Sequence, residues 1–153
     1  MDRIKKITQA ITQKYGTNSP FELCDLLGVQ VVYTELPLKV KGFCIRLLQN
    51  HVIVLNQDLT MQESRVVCAH ELGHYLLHGN MNALEIEENT NLSLPRYERE
   101  ADYFAACLLL QEECLQEQGP FDVMTVEHVA TMSGVPEDLV RLRFSVDKSS
   151  YVS

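Results

Sequence analysis

The sequence has no long apolar run and no closely spaced pair of cysteines. Without an apolar stretch of about 20 residues, a membrane-spanning helix is excluded. The five cysteines make an odd count and form no C-x-x-C pair, which disfavours a disulfide framework and is typical of reduced thiols. The first residues show no basic start followed by an apolar run, so no secretory leader is expected. We therefore expect a cytoplasmic protein with no membrane contact.

Basic charge is also scarce. The chain carries 13 Lys and Arg against 21 Asp and Glu, a formal net charge of −8, and its only basic cluster is Arg3, Lys5 and Lys6. Since phosphate binding depends on a basic face, direct contact with nucleic acid is disfavoured. With 153 residues and 46% hydrophobic content, the chain can form one domain with a sizeable core.

Hydrophobic periodicity predicts mostly helices, with three strands in the first half of the chain. The predicted helices cover 2–15, 20–27, 60–78 and 95–110, followed by two short helices within 125–144. The predicted strands are Val29–Thr34, Gly42–Leu48 and His51–Leu55, with a tight turn at Gln49-Asn50. Residues 79–94 are polar and are predicted to form a surface loop, while 145–153 are predicted to fray. Gly119-Pro120 separates a main domain, 1–118, from a short helical tail, 119–153.

The most informative feature is the segment His70-Glu71-Leu72-Gly73-His74, an H-E-x-x-H motif inside a predicted helix. Two histidines four residues apart project from one helical face, so both imidazoles can reach one zinc ion. Glu71 lies between them, where it can act as general base for the water that the metal activates. The motif predicts a zinc hydrolase, most directly a peptidase.

Three fixed positions also arise by chance, and the alternative is a charged helix with partly buried histidines. The surroundings favour the metal site. Thr60 and Glu63 have the spacing of a capping box at the start of this helix, and the face that carries the histidines is also the apolar face. Gly73 costs roughly 1 kcal/mol in the middle of a helix, which indicates close approach by another backbone or a ligand.

A catalytic zinc site needs a third protein ligand, and the next predicted helix offers Glu98 and Glu100. Glu98 shares its face with small residues that would let this helix pack tightly against Gly73. Asp102 follows one turn later, where it could hold a zinc-bound histidine by its second nitrogen. We therefore prefer Glu98, while periodicity alone leaves Glu100 open. The alternative for this acidic group is a solvated helix N-terminus.

Together these segments resemble the ImmA/IrrE-type metallopeptidases of bacteria, their phages and integrative elements. The resemblance covers roughly residues 16–144 and is strongest in the segments AHELGHYLLH, at 69–78, and EREADYFAA, at 98–106. Shorter family-like pieces lie at 19–23, 27–29, 41–43 and 53–56. One departure is visible, because Gln111 follows Leu110 where the family often has Met-Pro.

The resemblance implies an α+β, zincin-like fold, mainly helical, with a small three-stranded sheet beside the H-E-x-x-H helix. It implies Zn²⁺ held by His70, His74 and Glu98, with Glu71 as catalytic base of a metalloendopeptidase. It also implies a narrow substrate range, typically a helix-turn-helix repressor of a mobile element or stress regulon, which is the expected protein partner. The alternative function is a non-catalytic zinc-containing module that binds or sequesters such a regulator.

Other residues carry less specific signals. His78 continues the histidine ladder one turn past His74, where it could contact the site, the substrate or the helix dipole. Tyr75, Tyr97 and Tyr103 could each supply a hydroxyl that stabilises an oxyanion, or could simply lie at the edge of the core. The segment 126–141 has the rhythm of a helix-turn-helix, for which we favour a packing or protein-contact role over DNA reading.

Overall fold

The computed structural model describes residues 1–79, 94–112 and 124–149. Within these ranges the fold is α+β and mostly helical, with one small sheet, as predicted. The predicted loop, apart from its ends, and the predicted break at Gly119-Pro120 lie outside the described residues. In chain order the elements are α1 Asp2–Tyr15, α2 Pro20–Leu27, β1 Gln30–Thr34, β2 Gly42–Leu47, β3 Asn50–Asn56, α3 Met61–His78, α4 Leu94–Leu109, α5 Val126–Ser133 and α6 Glu137–Ser149.

The sheet is mixed, with β3 at its centre. β1 pairs with β3 in parallel and β2 pairs with β3 antiparallel, so that Val32 lies opposite Val54 and Cys44 opposite Ile53. Residues 52–55 of the central strand are all buried. β2 is an edge strand of the described sheet, and its first residue, Gly42, lies against α3, where an added Cβ would be 2.9 Å from Cγ1 of Val67.

The turn between β2 and β3 lies one residue earlier than predicted. Leu47 pairs with Asn50, so the turn is Leu48-Gln49 rather than Gln49-Asn50. Leu48 has a φ of 58°, a left-handed conformation that costs a non-glycine residue roughly 1–2 kcal/mol. A two-residue hairpin turn needs such a positive φ and normally has glycine there. Because no glycine marks this position, the register of the turn has only a weak signal in the residue pattern.

The capping box at the start of α3 is present as predicted. The backbone N–H of Glu63 donates to Oγ1 of Thr60 at 3.1 Å, and the backbone N–H of Thr60 donates to Oε2 of Glu63 at 2.8 Å. Two donors that the first turn would otherwise leave unpaired are thereby satisfied. The cap fixes where α3 begins, and therefore which face its later residues present to the core.

Helices α3 and α4 approach each other closely at Gly73. A Cβ on Gly73 would lie 3.0 Å from Cδ1 of Phe104 and 3.2 Å from the carbonyl oxygen of Ala101. A Cβ at this position would therefore require the side chain of Phe104 or the backbone of α4 to shift by a few tenths of an ångström. The predicted reason for a glycine in mid-helix is therefore confirmed, and the close approach brings the start of α4 beside the H-E-x-x-H segment.

The two predicted tail helices, α5 and α6, pack onto the same core as α3 and α4. Val135, between them, and Val140, on α6, are both buried. α6 passes residue 145, where fraying is predicted to begin, and continues to Ser149. No Gly or Pro interrupts 145–149, so the helical hydrogen bonds can propagate. The predicted domain boundary at 118/119 falls outside the described residues.

Cys24 and Cys68 are buried free thiols whose Sγ atoms lie 3.9 Å apart, and Cys44, on β2, is a partly buried free thiol. These free thiols fit the expectation of reduced cysteines. None of the helices in the described ranges combines the length and the apolar character needed to cross a bilayer.

Candidate metal centre

Two histidines of α3 direct their Nε2 atoms at the same point. His70 and His74 are one turn apart, and their Nε2 atoms are 3.1 Å from each other. The two rings meet edge to face, with centroids 4.7 Å apart and an interplanar angle of 80°. Both side chains are largely buried. The four-residue spacing therefore brings the two imidazoles together on one face, as expected.

The carboxylate of Glu98 on α4 reaches the same point from the opposite side. Its Oε1 lies 2.9 Å from Nε2 of His74, and its Oε2 lies 3.2 Å from Nε2 of His70. Ligand atoms of these three residues all lie within 4.8 Å of one another. Glu100, the alternative candidate, points away and contacts His78 and Arg96 instead.

The three side chains fit a small divalent cation. Oδ1 of Asp102 lies 2.8 Å from Nδ1 of His70, and because a carboxylate only accepts, Nδ1 of His70 carries the hydrogen. The Nε2 of a neutral His70 then carries a lone pair and no hydrogen, and it faces the carboxylate of Glu98. Because both groups can only accept, this arrangement needs a positive charge between the nitrogen and the carboxylate. Ligand atoms of a tetrahedral zinc site lie about 3.3 Å apart, close to the distances among these three residues.

His70, His74 and Glu98 form a donor cluster, and the electrostatics at this cluster favour positive charge. Burial disfavours the protonated form of His70, but the carboxylates of Asp102, Glu98 and Glu71 outweigh burial and raise the pKa of His70 to about 10. Hydrogen bonds from His70 and then His74 hold the pKa of Glu98 well below its ordinary value. Since a metal ligand must be deprotonated, a cation and a proton compete for the same histidine nitrogen.

Glu71 is buried beside this cluster, with 8% of its surface exposed. Burial raises its pKa, an effect that His70 and His74 partly offset. The backbone N–H of Cys44 donates to its carboxylate, which links Glu71 to edge strand β2. A carboxylate with a raised pKa is a better proton acceptor than an exposed one, as a general base requires.

A cleft of about 460 Å³ opens over the cluster and Glu71. Three parts of the chain form its walls: the segment that leads into β2, helices α3 and α4, and the start of the tail helix α6. Its lining residues are Lys39, Lys41, Gly42, Val66, Val67, His70, Glu71, Glu98, Asp102, Pro136, Asp138 and Leu139. Sequence reasoning missed the two lysines and the three tail residues, because only tertiary packing brings them to the site.

The three tyrosines considered for oxyanion stabilisation lie elsewhere in the described structure. Tyr103 is buried in the core. The ring of Tyr75 packs against His51 with centroids 4.6 Å apart, and that of Tyr97 lies 4.4 Å from the ring of His78. None of the three is among the described residues that line the cleft. Their role in stabilising an oxyanion stays a prediction.

Comparison with known proteins adds three findings. The model of the peptidase family M78, described as the IrrE N-terminal-like domain, matches residues 24–145. The chain is 35% identical over 140 residues to "Uncharacterized immunity region protein 2" of Bacillus phage phi105, with 92% of this chain and 88% of that protein covered. It is 29% identical over 149 residues to metallopeptidase ImmA of Bacillus subtilis strain 168, with 93% of this chain and 84% of that protein covered. All three matches span the sheet and the donor cluster.

Proposed function

We propose that this chain, which belongs to the IrrE N-terminal-like family of metallopeptidases, is a zinc-dependent endopeptidase whose substrate is a regulatory protein. One observation carries the proposal. Two histidines and a glutamate, from two different helices, direct ligand atoms to one point beside a buried carboxylate, and a cleft is lined by one of these histidines, the glutamate and that carboxylate.

In this proposal His70, His74 and Glu98 hold Zn²⁺. The donor set of two nitrogens and a carboxylate is one that zinc accepts in catalytic sites, where a fourth position stays open for the reaction. When bound, Zn²⁺ supplies Lewis acidity, which lowers the pKa of water and polarises the peptide carbonyl. Asp102 keeps the His70 ring in the orientation in which Nε2 faces the cluster.

Glu71 is the proposed general base. Its carboxylate accepts the proton of the attacking water and later delivers it to the nitrogen of the departing amine. Burial supports the first half of this transfer, because it raises the pKa of Glu71 and so makes proton uptake more favourable. The hydrogen bond from the backbone of Cys44 holds the carboxylate at the edge of the cleft.

An extended peptide is the substrate shape that this cleft favours. Edge strand β2 begins at Gly42 in the cleft wall, and its residues 42–47 offer backbone groups with which a peptide strand could pair. The tail contributes Pro136 and Leu139 to the lining of the same cleft. A protein segment that unfolds locally or is already extended could therefore bind between strand and tail.

We further propose that the substrate is a helix-turn-helix repressor of a mobile element, acting in the cytoplasm. One relative is named for a phage immunity region, and the other is named metallopeptidase ImmA. The family resemblance identified in the sequence implies such a repressor as the substrate. Because the chain is acidic, it is not expected to compete with the repressor for the operator DNA. Cleavage of the repressor is therefore the simpler way to remove it from the operator.

Glu71→Gln tests the proposal. The variant keeps His70, His74 and Glu98 and is expected to retain zinc in metal analysis while losing cleavage of a co-expressed helix-turn-helix repressor encoded beside it. Glu22→Gln, an exposed change in the first turn of α2, is the matched control and should cleave normally. If repressor loss continues unchanged in Glu71→Gln, the proposed hydrolysis through Glu71 fails. Wild-type protein without zinc would overturn the metal site itself.

A further inference from the structure

A line of side chains runs from the donor cluster to the protein surface. Nδ1 of His74 lies 3.1 Å from Nδ1 of His78, and Nε2 of His78 lies 2.9 Å from Oε2 of Glu100. The other oxygen of Glu100 accepts a hydrogen bond from Nε of Arg96 at 3.0 Å. The His78 side chain is only 4% exposed, whereas that of Arg96 is 78% exposed. A buried histidine therefore connects a candidate ligand to a carboxylate near the surface.

The hydrogen positions along this line follow from its outer end. Glu100 is a carboxylate that only accepts, so Nε2 of His78 carries a hydrogen and donates it. A neutral imidazole then has a bare Nδ1, which accepts from Nδ1–H of His74. With its hydrogen on Nδ1, His74 leaves the lone pair of Nε2 exposed to the cluster. One carboxylate thus determines which nitrogen of His74 can bind a cation.

We infer that His78 and Glu100 are positioning residues that hold His74 in the tautomer and ring orientation a metal requires. Glu100 orients His74 as Asp102 orients His70, but the contact of Glu100 is relayed by the imidazole of His78. This inference rests on the proposed function, because it assigns the cation at the cluster to Zn²⁺. Of the three contacts considered for His78 from the sequence, this inference selects the one with the site, since both ring nitrogens contact side chains and neither is left for the helix-end carbonyls.

Packing supports the assignment. The ring of Tyr97 lies 4.4 Å from the ring of His78, at an interplanar angle of 57°. His78 is therefore contacted by His74 and Glu100 at its nitrogens and by an aromatic ring on α4. Groups that orient metal-binding histidines typically change metal affinity 10–100-fold when they are replaced, and we expect an effect of about that size here.

Two replacements of His78 separate hydrogen bonding from packing. The amide oxygen of asparagine can occupy the position of Nδ1 and accept from His74, whereas leucine fills the space without an acceptor. We expect the zinc affinity of His78→Leu to fall about 10–100-fold, and that of His78→Asn to stay within a few-fold of wild type. The measurement is a competition titration against a chromophoric chelator, with folding checked by circular dichroism.

Glu100 provides a second test that does not depend on a buried replacement. Glu100→Gln keeps an oxygen that can accept from His78 and should lose less zinc affinity than Glu100→Ala. Glu112→Gln is the control, because it breaks an ion pair of comparable length at α4's far end and should leave zinc affinity unchanged. In histidine ¹⁵N spectra of the zinc-loaded wild type, His78 is expected as the tautomer protonated at Nε2 only.

The outcomes distinguish this inference from the proposed function. If wild-type protein binds no zinc, the metal site fails. If wild type binds zinc but folded His78→Leu and Glu100→Ala bind it equally well, only the positioning role fails. A His78 ring protonated at Nδ1 would also overturn the role, because it could not then accept from His74.

Discussion

Asp102 and His70 form a hydrogen bond of 2.8 Å across the interface between α4 and α3. Asp102 lies one turn after Glu98 on α4, so one helix contributes both a candidate ligand and the group that orients a ligand on the neighbouring helix. The site therefore depends on the register between α3 and α4, which the close approach at Gly73 fixes.

Replacing Asp102 with asparagine is expected to weaken zinc binding roughly 10–100-fold. An amide can donate to Nδ1 of His70, and that contact favours the tautomer with hydrogen on Nε2, which cannot bind a metal. Chelator competition measures the change. Asp138→Asn is the control, because Asp138 lines the same cleft while its Oδ1 accepts from the backbone of Leu139. Equal affinities in the two variants would contradict the orienting role.

Gly73→Ala is expected to lower the free energy of unfolding by up to about 2 kcal/mol. The new methyl group would lie 3.0 Å from Cδ1 of Phe104, and overpacking of about 1–3 kcal/mol is offset by a gain of roughly 1 kcal/mol in helix propensity. Urea unfolding measures this difference. Adding Phe104→Leu to the variant should restore part of the loss. An increase in stability in the single variant would show that α4 retreats at no cost.

Stability should fall in acid partly through Glu112. Hydrogen bonds from Lys5, and weaker contributions from Arg143, hold the pKa of this carboxyl below 4.5. The folded state therefore binds fewer protons than the unfolded state, so the stabilisation is present above the unfolded pKa and is lost as pH falls through the folded one.

Comparing wild type with Glu112→Gln isolates that contribution. Because the Glu112 side chain is 46% exposed, the difference in unfolding free energy at neutral pH should be at most about 1 kcal/mol. It should shrink as the pH is lowered from about 6 to about 3. A difference that stays constant over this range would show that the ion pair does not shift the titration.

Removal of metal is expected to lower the melting temperature of the wild type. A ligand present at about 100 times its dissociation constant stabilises the folded state by about 2.7 kcal/mol. A strong chelator removes the metal and therefore this stabilisation. Differential scanning calorimetry with and without chelator measures the shift. His74→Leu lacks one donor and should melt at nearly the same temperature in both conditions. An equal chelator effect on both proteins would place the metal elsewhere.

Much of the fold could be predicted because its signals are local. The capping box of Thr60 and Glu63 predicts the start of α3, and the structure contains both of its hydrogen bonds. The four-residue spacing of His70 and His74 predicts that they share a face, and the small residues on the face of Glu98 favour it as their partner. The structure brings the three together, while their role as ligands stays a prediction. Gly73 signals a close contact because its helix propensity is poor.

Other features depend on tertiary contacts that periodicity does not contain. Helical spacing places His78 on the face of His74 but cannot show that its second nitrogen meets Glu100, on another helix. The positions of Pro136 and Leu139 in the cleft wall follow from how the tail packs, not from any motif. The hairpin turn at Leu48 was misplaced because leucine adopts a conformation that usually identifies glycine.

A single 18-residue helix, α3, carries both histidines, the buried glutamate and the glycine at the helix contact. One residue inserted between 70 and 74 would rotate everything downstream by about 100° and move His74 off the shared face. Length changes in this gene should therefore be tolerated in the connections between elements and eliminated in α3. The relative positions of the site residues on α3 are therefore kept through substitutions far better than through insertions or deletions.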